Sequence, residues 1–90
     1  MKILVADARQ IIFAGVTRGA VLPAQGGQVC VLDDHQSALL VLREGDVHIL
    51  SEKKSSTPSG LNSEPLKVIK IKKGLAKIWR NELVLMVQSF

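Results

Sequence analysis

Residues 66–88, "LKVIKIKKGLAKIWRNELVLMVQ", carry the clearest signal of fold class in the chain. Ile69 and Ile71 alternate with Lys70 and Lys72, the two-residue period that sends one set of side chains to a core and the other to water. Gly74 interrupts. Two further apolar runs, 75–79 and 83–88, flank the corner Arg80–Asn81–Glu82, where asparagine tolerates left-handed backbone. Val, Ile and Leu supply most of its apolar positions and no long stretch holds a 3.6-residue apolar stripe, so the segment predicts strands and not a helix.

The same signature recurs outward from this stretch. In 26–35, "GGQVCVLDDH", Val29 and Val31 fall on one face and Gln28 and Cys30 on the other, while Val47 and Ile49 alternate with Asp46 and His48. Strands are predicted over 2–6, 9–14, 16–22, 28–32, 38–42, 46–50, 66–72, 75–79 and 83–88, with turns at Gly15, Pro23 to Gly27, Gly45, Gly60, Gly74 and the 80–82 corner. This is an all-β chain, expected to form a small β-sandwich of about nine or ten short strands in two sheets. One domain spans 1–90, with an exposed hairpin loop at 51–65, "SEKKSSTPSGLNSEP". A chain of 90 residues fits one core, with a radius of gyration of roughly 12 Å.

Composition narrows the function classes. Hydrophobic residues at 47% and charged ones at 22% mark a folded domain and not a disordered tail. The net charge of +4 permits an acidic protein, nucleic acid or a membrane surface as partner. Aromatics at 3%, with no tyrosine, leave no stacking platform for single-stranded nucleic acid, so no nucleic-acid partner is expected. The lone Cys30 cannot form an internal disulfide, which points to a reducing compartment. No stretch approaches the roughly 18 apolar residues of a spanning helix, so membrane association is expected only through a partner.

Candidate chemistry is sparse. Asp33, Asp34, His35 and His48 with Cys30 offer oxygen, nitrogen and sulfur ligands, yet no paired His or Cys spacing is present, and a polar turn leaving a strand accounts for them without a metal. Ser37 or Cys30 beside His35 and Asp33 would make a nucleophile–base–acid set in name only, and Cys30, inside an apolar strand, reads as a small buried thiol. Gly26–Gly27 lacks the following residues of a phosphate loop and reads as a tight turn. No catalytic residue, metal or cofactor is therefore assigned. Lys67, Lys70, Lys72, Lys73, Lys77 and Arg80 make the C-terminal third basic, either as a solvated edge or as a docking patch for an acidic surface. Trp79 either covers an open end of the sandwich or anchors a protein contact.

In order and spacing these features resemble the β-sandwich domain of the epsilon subunit of F-type rotary ATP synthases, called delta in mitochondria. The family's "IFSG" is similar to Ile12-Phe13-Ala14-Gly15, its "LPGxxGE" to the run from Leu22-Pro23 to Gly27-Gln28, and its "GVLPGHAPLL" to residues 30–39 with His35 retained. Its "GGFAEVxxNxVTVL" is similar to residues 73–85, so the resemblance covers about residues 2–87. Gln28, Cys30, Asp33-Asp34 and Lys73 depart from the family pattern, and the helical hairpin that most members carry after the sandwich has no counterpart within residues 1–90.

The resemblance implies a non-catalytic accessory subunit whose partners are the gamma subunit and the c ring. Gly26, Gly27 and Gln28 would face the ring, His35 would lie near the gamma/ring contact, and Trp79 would anchor a protein contact. It further implies a peripheral place on the cytoplasmic face of a bacterial energy-transducing membrane. A free-standing adaptor or ligand-binding β module is the other reading, since fold does not fix function.

Overall fold

The computed structural model describes residues 1–33, 35–51 and 66–90, and these form strands β1 (Lys2–Ala6), β2 (Ile11–Val16), β3 (Gly19–Ala24), β4 (Gly27–Leu32), β5 (Ala38–Leu42), β6 (Gly45–Leu50), β7 (Lys67–Trp79) and β8 (Glu82–Ser89). The fold is all-β, as the alternation predicts. Asp34 and positions 52–65, most of the expected hairpin loop, lie outside the described residues.

Hydrogen bonding links the strands in the order β2-β1-β8-β7-β5-β3-β4, with β6 beside β3 and β7. β5 and β6 lie end to end along one edge of β7: Ala38 to Leu42 pair with Ile78 to Gly74, and Gly45 to Ile49 pair with Ile71 to Lys67. β8 runs along the other edge, from Trp79↔Glu82 to Ile71↔Ser89, and β1 joins it in parallel.

Burial switches register midway along this ribbon. On β7 the inward residues are Ile69 and Ile71, then Ala76 and Ile78; on its partners they are Leu42, then Val47 and Ile49. An odd-to-even change of inward position requires an extra residue, and a bulge on β7 between Ile71 and Lys73 supplies it. The sheet folds over at this corner into two layers facing one core, as strands do when they pass between packed sheets. The first layer is β2-β1-β8 with the C-terminal half of β7 and β5; the second is the N-terminal half of β7 with β6, β3 and β4. Backbones approach closely at the corner. A Cβ on Gly74 would lie 2.7 Å from the Met86 carbonyl oxygen and 3.0 Å from Val87 Cγ1.

Both layers supply the core. Ile3, Val5, Leu83 and Leu85 come from the first, and Leu22, Val31, Val47 and Ile49 from the second, all essentially without solvent contact. The Cα radius of gyration is 12.5 Å, in line with the expectation for one core.

Four details differ from the sequence reading. Gly15, expected as a turn, lies inside β2 opposite Ile3, and the chain reverses after Val16. The runs 66–72 and 75–79 are one strand, β7, because Gly74 continues the ladder and turns the sheet without ending it, so the described strands number eight and not nine. Pro23 lies inside β3 opposite Gln28, where its carbonyl accepts the Arg43 N–H at 2.8 Å; lacking only a donor, it is tolerated there, and the turn is confined to Gln25–Gly26. Cys30 is exposed, since its strand is half-buried and only Val29 and Val31 point inward.

The second tight turn behaves as its sequence predicts. Arg80 and Asn81 both adopt positive φ, 48° and 60°, the geometry that suits a two-residue hairpin to the twist of its strands. At the chain start the Met1 amino group is buried, donates to the Thr17 carbonyl at 2.8 Å and pairs with Asp33 Oδ1 at 2.7 Å.

Candidate functional site

Among the described residues, the grouping that offered metal or nucleophile chemistry does not assemble; Asp34 lies outside them. Asp33 is committed to the N-terminal amine. His35 donates its backbone N–H to the Leu32 carbonyl at 3.2 Å, and its Nδ1 meets the Gln36 carbonyl at 2.8 Å; since a carbonyl only accepts, Nδ1 carries the proton. His48 lies on β6 opposite Val21 and Val68, and Cys30 lies beyond Val21 on β4, so a strand separates the two. Among the described residues no three His, Cys, Asp or Glu side chains come together as a metal site.

The residues expected to meet partners fall at the two ends of β5. The turn Gln25–Gly26 with Gly27 and Gln28 stands at its C-terminal end, tied there by the Gln25 N–H on the Val41 carbonyl at 3.1 Å and the Ala24↔Leu42 pair. Gly27 holds φ near 130° with open space around its Cβ position, so a side chain there is opposed by backbone conformation and not by crowding. At the other end, His35 precedes β5 and Trp79 follows Ile78, the partner of Ala38. Four residues of extended chain, ~13 Å, separate the ends.

What lies between them carries no motif in the sequence. Across the outer face of the first layer, paired positions form the apolar row Val41, Leu75, Met86 and Ala6, and beside it the row Leu39, Lys77, Val84, Leu4 and Ala14. Leu39 is 70% exposed, Met86 54% and Trp79 51%. Two grooves indent this face. One, of about 520 Å³, is lined by Gln25, Val41, Lys73, Leu75 and Met86 among others, so it adjoins the glycine turn. The other, of about 350 Å³, lies over β2, β1 and β8 between Lys2, Leu4, Val16, Glu82 and Val84. Large contiguous apolar patches are where proteins tend to meet partners, whereas single exposed apolar residues need no explanation.

A subtler signal for it does exist in the sequence. Residues 38–42, "ALLVL", and 83–87, "LVLMV", are apolar at every position, the pattern of strands covered on both faces. The core occupies one face only.

The basic residues do not form one patch. The bulge at the β7 corner divides them: Lys70 lies opposite Asp46 in the second layer, while Lys73 and Lys77 point out from the first. Lys67 Nζ donates to the Ile12 carbonyl at 3.2 Å, which blunts the open edge of β2. Arg80 stacks over Trp79, 5.4 Å from the ring centroid.

No protein-family model matches the chain, and no curated protein matches it. Among solved structures it is similar to a chain in the cryo-EM structure of the central stalk and c-ring of the Tetrahymena thermophila mitochondrial ATP synthase, with a TM-score of 0.72 at 13% identity. The match covers 98% of this chain and 63% of that one, so this chain spans less than two thirds of the length of its structural neighbour. At that identity the likeness is one of fold.

Proposed function

We propose that the chain is a non-catalytic central-stalk subunit of a rotary F-type ATP synthase, a counterpart of the epsilon subunit, which couples ion-driven rotation of the c ring to ATP synthesis by holding the gamma subunit and the ring together. One observation carries the reading: almost the entire chain superposes on a chain of a central stalk and c-ring assembly, with a TM-score of 0.72. The ordered motif resemblance between residues 2 and 87 supports it independently of the superposition.

In this role Gly26, Gly27 and Gln28 form a loop against the ring, His35 lies near the gamma/ring contact, and Trp79, also at the far end of β5, anchors a protein contact. The mechanism is mechanical. A close-packed core deforms little, so a wedge built on it passes torque between the surfaces that grip it. No metal or cofactor enters this reading. The subunit is peripheral to a membrane complex, and we assign it to the cytoplasmic face of a bacterial membrane, although the similar chain belongs to a mitochondrial complex.

Affinity purification of the tagged chain from its own cells tests the proposal. Recovery of the alpha, beta and gamma subunits supports it, and recovery of an unrelated partner in their place refutes it. A cysteine introduced at Gln28, in a protein whose Cys30 is replaced by serine, should crosslink to the c ring within the assembled complex.

A further inference from the structure

β2 and β4 end the strand order, and their two open edges are finished differently. At β2 the ammonium of Lys67 holds the Ile12 carbonyl. β4 has β3 on one side and, among the described residues, no strand on the other. Pro23 shows which of its backbone groups face outward. It has no N–H and turns its carbonyl to the Arg43 N–H on the β5 side, so Pro23↔Gln28 is not a hydrogen-bonded pair. Bonded pairs alternate along an antiparallel ladder. Leu22↔Val29 and Ala20↔Val31 therefore carry the bonds, and Gln28, Cys30 and Leu32 direct their N–H and C=O groups to the open side. The His35 N–H meets the Leu32 carbonyl, while among the described residues nothing meets those of Gln28 and Cys30. Edges are commonly blunted by charge, proline or a bulge, and β4, "GQVCVL", has none of these. β3 behind it, "GAVLPA", is uncharged as well.

We infer that the chain pairs with a second copy of itself through β4, antiparallel about a two-fold axis at Cys30. Cys30 then faces its own counterpart and Gln28 faces the partner's Leu32, so each open-side N–H meets an open-side C=O. A strand whose free groups repeat on every second residue is unchanged by this reversal, which is the self-complementarity a two-fold contact requires. Charge favours the same occupant. Two copies, each of net charge +4, repel on approach, and the uncharged β3–β4 end is where they meet without setting like charges opposite one another. Asp33, just past the strand, falls opposite the partner's Gly27 and is already paired with the Met1 amine. A single added strand is a small contact, below the roughly 1,200 Å² at which stable interfaces begin, so the dimer forms and parts with concentration. Under the stalk reading, on which this consequence alone rests, the pair covers Gln28, and a chain paired with itself is barred from the ring.

Sedimentation velocity of the purified full chain over a wide range of concentration, under reducing conditions, tests the pairing. Wild type, Cys30→Lys and Val68→Lys are compared, with thermal melts to confirm folding; both positions are exposed, so the fold should tolerate either change. Cys30→Lys sets two ammonium groups opposite each other at the axis and should weaken the dimer about tenfold or more. Val68→Lys adds the same charge on the same outer face but on β7, beyond β3 and β6, and should leave it unchanged. In a bonded antiparallel pair the two Cys30 Cα atoms lie about 5.5 Å apart, within the span of a disulfide. Diamide, which takes up the two hydrogens released by the joined thiols, should therefore trap the wild-type dimer covalently. A wild type that stays monomeric at every concentration overturns the inference, as does a dimer equally strong in Cys30→Lys or one that diamide fails to trap. None of these results touches the stalk reading, which affinity purification tests separately. In reconstitution with ATP synthase stripped of this subunit, the reduced chain should join and the trapped dimer should not; entry of both removes the exclusion from the ring, and entry of neither removes the stalk reading.

Discussion

The two halves of β7 differ only modestly in sequence, yet they end in unlike surroundings. From Lys67 to Ile71 the outward Lys70 lies opposite Asp46 and Val68 opposite His48, and the surface is mixed and polar. From Gly74 to Trp79 the outward Leu75 and Lys77 lie between Val41 and Leu39 on one side and Met86 and Val84 on the other. Inward, both halves bury aliphatic side chains in the same core. A strand's outward character is thus set by its neighbours more than by its own residues, because cross-strand pairs are the units that water or a partner meets.

If the halves share one core and differ only outside, deep truncations should cost alike in both. Ile71→Ala and Ile78→Ala, at positions with essentially no exposure, should each lose about 2–5 kcal/mol in urea denaturation. A near-neutral effect at either position would break the picture of a common core. The corner that divides the halves comes next in size. Gly74→Ala drives a methyl against the Met86 carbonyl and should cost about 1–3 kcal/mol, with a loss of β8 protection in hydrogen exchange.

Outward substitutions sharpen the contrast by what they leave unchanged. Leu75→Ser and Val68→Ser should each shift the stability of the isolated chain by no more than about 0.5 kcal/mol. Only Leu75→Ser should weaken binding to gamma; equal losses for both would erase the distinction between the faces.

The smallest effect concerns acid. Asp7 Oδ1 accepts the backbone N–H groups of Arg9 at 2.8 Å and Gln10 at 2.9 Å, and Oδ2 accepts from Ser89 Oγ at 3.0 Å. The amide of Arg9 foremost, then that of Gln10, holds this carboxyl below its ordinary 3.8. A lowered carboxylate stabilises the fold above its unfolded value, and the contribution drains away as pH falls through the folded one. The gap in melting temperature between wild type and Asp7→Ala should be widest above about pH 4 and close on acidification, whereas a gap constant down to pH 2 would contradict this.

Much of the fold is legible in the sequence because alternation is a local property. Ile69/Ile71, Val47/Ile49 and Val29/Val31 each reveal a face within five residues. Gly74 reads as a strand end because glycine serves both turns and close backbone approaches, and only the neighbouring β8 distinguishes the two. Cys30 reads as buried from the company it keeps along the chain, although its own parity places it outside. The candidate site is the least legible part. Leu39, Lys77 and Met86 are far apart in sequence and become neighbours only through the β5, β7 and β8 register.

Hydroxyl-radical footprinting of the free chain and of the chain within the purified ATP synthase tests the central claim most directly. Met86 and Trp79 should be labelled in the free chain and protected in the complex, Met1 should resist labelling in both states because it is buried, and Val68 should stay accessible. Labelling of Met86 and Trp79 that is as strong in the complex as in the free chain would show that the first layer's outer face meets only water, and the account would be wrong.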